Sequence, residues 1–299
     1  MNKKAIIGDL VNRAKNGENI IEFLTDQHMH TTSELDEMIS YDIRAGMDVK
    51  RYKEQPEIYD AVVSRIIDLV LSLKEVKGGR ILECGSGEGI ILSNLIRQMG
   101  KYFELARGVD ISWSRVSYAK RFTAELGVDS DIDYYVADFF KLPFNDNSFD
   151  VLYTMDGIYA MGGNEQSVIK ELYRVSSKYL MLIEPSYEFG NDAVKERIDR
   201  LGYVKNLFQI VEEMGLEVVR YEPFGVDINP MNPAAVLIIK KNQRTSDNYL
   251  CCPVTHEEMQ VIGNCYYSSK SFLSYPIVNN IPCLTEGNAI ITAKLKEFF

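Results

Sequence analysis

The stretch Arg80-Ile81-Leu82-Glu83-Cys84-Gly85-Ser86-Gly87-Glu88-Gly89-Ile90 decides the fold. A short apolar run, an acid and three glycines at alternate positions lead into Ile90, Ile91, Leu95 and Ile96, spaced as one face of a helix. The pattern predicts a buried strand, a turn that lets a ligand approach the backbone, and a helix N-terminus. Taken alone, such glycines also suit a tight strand-to-helix connection with no ligand. Further along, Gly108-Val109-Asp110 ends a second apolar run. Asp110 stands about 20 residues beyond the glycines, where α/β nucleotide folds place the carboxylate that grips ribose hydroxyls. The dinucleotide fingerprint has two residues before its last glycine, whereas Gly85, Gly87 and Gly89 have one residue in each gap. Glu83, just ahead of them, repels a pyrophosphate and suits an ammonium group.

These residues resemble the class I S-adenosylmethionine-dependent methyltransferases, whose pattern is apolar-apolar-(Asp/Glu)-x-Gly-x-Gly-x-Gly. The resemblance runs from about Gly79 to Lys241. Asp110, followed by Ile111, matches the ribose-binding acid, and Ala137-Asp138-Phe139 looks like the segment whose acid contacts the adenine amino group. Leu142-Pro143-Phe144 and Ser148-Phe149-Asp150-Val151-Leu152 look like the approach to the fourth strand, and Glu171-Leu172-Tyr173-Arg174-Val175 like the helix before the fifth. Ser176-Ser177-Lys178-Tyr179 stands where the family usually has Leu-Lys-Pro-Gly-Gly, a departure expected to fall in a surface turn. The resemblance implies an α/β, Rossmann-like fold with a seven-stranded sheet. It also implies S-adenosyl-L-methionine as cofactor, with Glu83, Gly85, Gly87 and Gly89 at its methionine end, Asp110 and Ile111 at the ribose, and Asp138 and Phe139 at the adenine.

The whole chain sets wider bounds. Its 299 residues suffice for one α/β domain and a small appendage, and 46% hydrophobic with 25% charged residues is ordinary globular composition. A net charge of −10 disfavours a broad phosphate-binding surface, so a small-molecule substrate is expected rather than nucleic acid. No apolar run approaches the ~18 residues of a membrane span, and Ala5-Ile6-Ile7 is too short for a signal-peptide core. The expected location is the cytoplasm, with no membrane partner; a homodimer is compatible with the sequence. Five cysteines, Cys84, Cys251, Cys252, Cys265 and Cys283, do not suggest a disulfide framework.

Three domains are expected: a helical N-terminal extension over 1–55, the methyltransferase domain over 56–241, and a small β-rich domain over 249–299. In the extension, Thr31-x-x-Glu34 forms a capping box ahead of Leu35, Met38 and Ile39. His28 and His30, two apart, make a poor metal pair; they are exposed or capping residues, or one is a general base. Tyr41, Asp42 and Tyr52 are further candidates, and the resemblance favours Tyr41 as an aromatic lying against the cofactor. It also implies that the extension covers the active site. Pro56 opens a helix with Ile58, Val62, Val63, Ile66, Ile67 and Val70 as its buried stripe.

Strands are predicted near 80–84, 105–110, 132–137, 149–154, 179–184, 216–223 and 234–240, with Gly100 and Gly127 ending helices and one helix over 194–214. Trp113 either walls the adenine pocket or belongs to the core. After a polar linker, Cys251-Cys252-Pro253, Cys265 and Tyr275-Pro276-Ile277…Ile281-Pro282-Cys283 suggest short strands with a turn at Asn279-Asn280. This tail resembles the zinc-ribbon-like activator subunit of transfer-RNA methyltransferases. Zinc could be drawn to Cys252, His256, Cys265 and Cys283, but their spacing is not a normal metal pair, and a metal-free domain is expected. Its cations Lys270, Lys294 and Lys296 are outnumbered by Glu257, Glu258, Glu286 and Glu297, against a nucleic-acid role.

The expected function is methyl transfer to an oxygen or nitrogen of a small metabolite or natural product. Tyr153 and Tyr159 after the fourth strand and Glu184 after the fifth would reach the acceptor, and Asp156 or His28 would take its proton. Two alternatives are a methyltransferase acting on RNA or protein through the tail and a non-catalytic cofactor-binding protein.

Overall fold

Seven strands form one sheet: Arg80–Cys84 (β1), Leu105–Asp110 (β2), Ile132–Val136 (β3), Phe149–Met155 (β4), Ser176–Pro185 (β5), Glu217–Pro223 (β6) and Ala234–Lys240 (β7). The computed structural model describes residues 7–20, 23 and 34–299. Strand order is β3-β2-β1-β4-β5-β7-β6, and only β7 runs against its neighbours. β4 is buried along its whole length, as a central strand covered on both faces requires. Helices Pro56–Ser72, Ile90–Met99 and Trp113–Glu125 cover one face through Val62, Ile66, Leu95 and Phe122. Helices Glu165–Val175 and Leu207–Glu213 cover the other through Leu172 and Val211.

Two expectations are corrected. Ser176-Ser177-Lys178-Tyr179 is not a surface turn but the start of β5, with both serines fully buried. Their hydroxyls make this possible by donating to backbone carbonyls of Tyr173 and Phe149, at 3.0 and 3.1 Å. The helix expected over 194–214 is two helices, Asp192–Leu201 and Leu207–Glu213. Gly202 caps the first in the left-handed conformation (φ +64°) and Asn206 opens the second at φ +57°, so the apolar pattern continues across a broken backbone.

The described part of the extension holds helices Ile7–Lys15, Glu34–Ile43 and Met47–Glu54, with Leu10, Ile20 and Ile39 as a small core. His28, His30 and Thr31 lie outside the described residues.

The tail forms a second sheet from Gln260–Ile262 (β8), Cys265–Ser268 (β9), Leu273–Val278 (β10), Ile281–Pro282 (β11) and Ile290–Ile291 (β12). Asn279 and Asn280, at φ +51° and +59°, make the tight hairpin turn between β10 and β11. The sheet docks on the β3 edge, where the Leu284 amide donates to the Val136 carbonyl at 2.8 Å. Tyr249 packs against Phe144 and Phe149 while Arg107 donates to its hydroxyl at 3.2 Å. Trp113 belongs to this interface: its indole N–H donates to the Val278 carbonyl at 3.3 Å. The four suggested zinc ligands are not gathered. Cys265 and Cys283 thiols donate to the Ile262 and Ile281 carbonyls, Cys252 meets the Tyr275 hydroxyl, and no group of three metal-binding side chains occurs among the described residues.

Candidate active site

The strand order reverses between β1 and β4, so connections leave in opposite directions and a crevice opens at their carboxyl ends. Gly85 and Gly87 turn the chain there at φ +81° and +51°. A Cβ on Gly85 would lie 2.8 Å from Gly157 Cα, so the loop after β1 closes directly against the loop after β4. Gly89 has a different duty: it caps the helix, and a side chain there would strike Tyr134 and Ala119.

Carboxylates line this crevice. Glu83 is 2% exposed, its Oε2 is buried without a hydrogen-bond partner, and the Tyr153 hydroxyl lies beside it. Burial pushes the Glu83 carboxyl up to about 8. Asp110 accepts from the Gly87 amide at 3.0 Å and the Ser112 amide at 2.9 Å, with the Arg115 guanidinium 3.6 Å away. Asp138 accepts from the Phe140 amide at 2.9 Å, and burial raises its pKa too. Phe139 is buried with its ring tip 3.3 Å from where a Gly85 Cβ would stand, while Ile111 is half-buried.

After β4, Asp156 adopts φ +49°, uncommon for a residue with a side chain. Its Oδ1 is buried without a partner, and burial followed by Asp227 pushes the carboxyl up to about 7. Glu184, at the end of β5, accepts from the Gly157 and Ile158 amides at 3.1 and 3.2 Å; burial, then Asp156, raises it to about 8. Glu184 thereby fixes the loop that carries Asp156. Tyr153 is fully buried beside Glu83 and supports the site from beneath.

The extension packs against these loops. Glu88, within the glycine turn, accepts from the Gly46 and Val49 amides at 2.6 and 2.7 Å. Asp42 accepts from the Ser112 and Ser114 hydroxyls at 2.7 and 2.9 Å, and Asp48 pairs with Arg115 at 2.6 Å. The Tyr41 and Tyr159 hydroxyls meet at 2.5 Å, and Arg115 lies over the Tyr41 ring. Tyr52 packs among Tyr59 and Phe122 instead. Sequence reasoning missed Glu88, Asp48 and Arg115. Open clefts of about 450 and 420 Å³ lie elsewhere, between the Met47–Glu54 and Trp113–Glu125 helices and beside Arg80 and Tyr249.

Residues 75–218 match the family model of the methyltransferase domain. Over this stretch, which covers just under half of the chain, the protein is similar to methyltransferase domains. Among named relatives, a sarcosine/dimethylglycine N-methyltransferase of Aphanothece halophytica is 30% identical over 182 residues, covering 55% of this chain and 62% of the relative. Cycloartenol-C-24-methyltransferase 1 of Oryza sativa subsp. japonica is 30% identical over 138 residues, covering 44% of this chain and 38% of the relative. The chain thus spans less than two thirds of either. Among solved structures, a chain from the complex of the Haloferax volcanii Trm112 methyltransferase activator superposes with a TM-score of 0.50 at 16% identity, over 67% of this chain and 95% of that one. This likeness is one of fold.

The residues present fit S-adenosylmethionine. Glu83 offers a buried carboxyl whose Oε2 has no partner, an atom an ammonium group satisfies, and Gly85 allows an approach no side chain would permit. Asp110 and Asp138 stand at the ends of successive parallel strands, each carboxylate anchored by backbone amides.

Proposed function

We propose that the protein catalyses methyl transfer from S-adenosylmethionine to an oxygen or nitrogen atom of a small metabolite. The observation that carries this is the closure of the Glu83–Gly89 turn against the Asp156–Gly157 loop beneath a cover tied down by Glu88 and Asp42. When bound, S-adenosylmethionine supplies a methyl group already activated on a sulfonium sulfur. The chain's work is then alignment and exclusion of water. Glu83 and the glycine backbone hold the methionine end, Asp110 the ribose and Asp138 the adenine. The 34–54 helices shut the site, and Tyr41 with Tyr159 walls the acceptor side. Asp156 is the group placed to receive a proton from the acceptor. The two named relatives act, by their names, on small molecules, which supports a metabolite over a macromolecule.

Calorimetric titration with S-adenosylmethionine should give micromolar affinity, about −8 kcal/mol. Asp110→Ala should lower it at least tenfold; unchanged affinity removes the ribose contact. Incubating the protein and labelled cofactor with a metabolite extract should add one methyl mass to a small compound.

A further inference from the structure

Several buried or largely buried carboxylates of this molecule are matched by cations. Asp110 has Arg115 at 3.6 Å, Asp150 has Lys178 at 2.9 Å, and Glu171 has Arg174 at 2.7 Å. The acceptor end has no such cation among the described residues. Among the described residues, Asp156, Glu184 and Asp227 form no ion pair, although Asp156 lies in the field of both others. Glu184 is satisfied by two amides and Asp227 takes the Ala234 amide at 2.9 Å. Asp156 Oδ1 has nothing, on a backbone held at φ +49°, beside the Gly157 that touches Gly85. A buried carboxylate without a partner costs several kcal/mol unless it is neutralised or meets a cation. Glu83 shows the same condition, and the ammonium of the cofactor meets it.

We infer that the methyl acceptor is an amine, bound between Asp156 and Asp227 against Tyr159, and that Asp156 takes its proton. This rests on the methyltransferase proposal above. An amine arriving as an ammonium ion supplies the missing cation and finds an aromatic wall suited to positive charge. An ammonium has no free lone pair. Transfer of one proton from its nitrogen to the Asp156 carboxylate leaves a neutral amine, whose lone pair is then free to attack, and a neutral carboxylic acid. A hydroxyl acceptor would leave Asp156, in the field of Asp227, without a cation.

The test uses the full-length protein loaded with S-adenosylhomocysteine. Ligand-observed NMR compares ethanolamine with ethylene glycol, benzylamine with benzyl alcohol and cyclohexylamine with cyclohexanol. At least one amine should bind tenfold or more tightly than its alcohol. Asp156→Asn, which tolerates the left-handed backbone, should erase that preference while S-adenosylhomocysteine affinity stays within twofold. In the absence of any ligand, Asp156→Asn should also melt higher than wild type at pH 9, where the carboxylate is charged. Parity or no binding across the panel, a preference that survives Asp156→Asn, or a lower melting point for that variant at pH 9 each overturns the inference. Failure of wild type to bind S-adenosylhomocysteine overturns the cofactor proposal instead; the amine panel is then read on the unloaded protein.

Discussion

Two residues show how this site is tensioned. Gly85 sits at φ +81°, and a methyl group there would meet Gly157 Cα at 2.8 Å. Gly85→Ala should therefore lose cofactor binding at least tenfold, because backbone strain and collision fall on the loop proposed to hold the ligand. Circular dichroism should remain that of a folded protein. Glu83 leads to a pH effect. Its carboxyl is raised to about 8, as is that of Glu184, and Asp156 to about 7, from ordinary values of 4.5, 4.5 and 3.8. Each group holds its proton more tightly folded than unfolded. Their combined contribution to stability is therefore full below the ordinary values and is lost as pH rises through about 7 to 8. The ligand-free protein should melt at higher temperature at pH 6 than at pH 8.5, with Glu83→Gln flattening part of that slope. A midpoint that rises with pH across this window would show the three carboxyls to be charged in the folded state.

Helices, strands and loops differ in how far they could be read from sequence. β1 and β2 were legible to the residue because buried runs end at glycine and acid, and Gly100 and Gly127 marked helix ends by their left-handed backbone. Ser176 and Ser177 misled because polar side chains suggest a turn, while their hydroxyls found carbonyl partners only in the folded sheet. The acids proposed for the cofactor, Glu83, Asp110 and Asp138, could be picked out because each lies at or just beyond the end of a strand. The packing of the extension could not, since Glu88 and Gly46 are 42 positions apart and Arg115 and Asp48 are 67 apart, with no local period to announce them. Glu88 is the element's anchor, and its two amide bonds to a charged acceptor are worth roughly 1.5–3 kcal/mol each. Glu88→Ala should speed hydrogen exchange at Gly46 and Val49 by at least tenfold and cut turnover more than cofactor affinity. Unchanged exchange there would assign the anchoring to Asp42 and Asp48.

At the scale of the molecule, the tail docks against the β3 edge of the sheet. β3 is an edge strand, and Ile281–Leu284 lies along it, with Lys141 and Glu286 pairing nearby. Cys252, Tyr275 and Leu284 join the same core as Leu152 and Leu180. A chain ending at residue 248 should therefore associate, as seen by light scattering, because a bare edge and the Phe144–Phe149 surface are uncovered together. If it stays monomeric with an unchanged melting point, the tail contributes nothing to the sheet.

That docking also has a history in time. Val136 leaves the ribosome long before Cys283 and Leu284 are made, and translation proceeds at about 5–20 residues per second. The nascent sheet therefore waits on the order of ten seconds with β3 unshielded, the interval in which a holdase chaperone has most to protect.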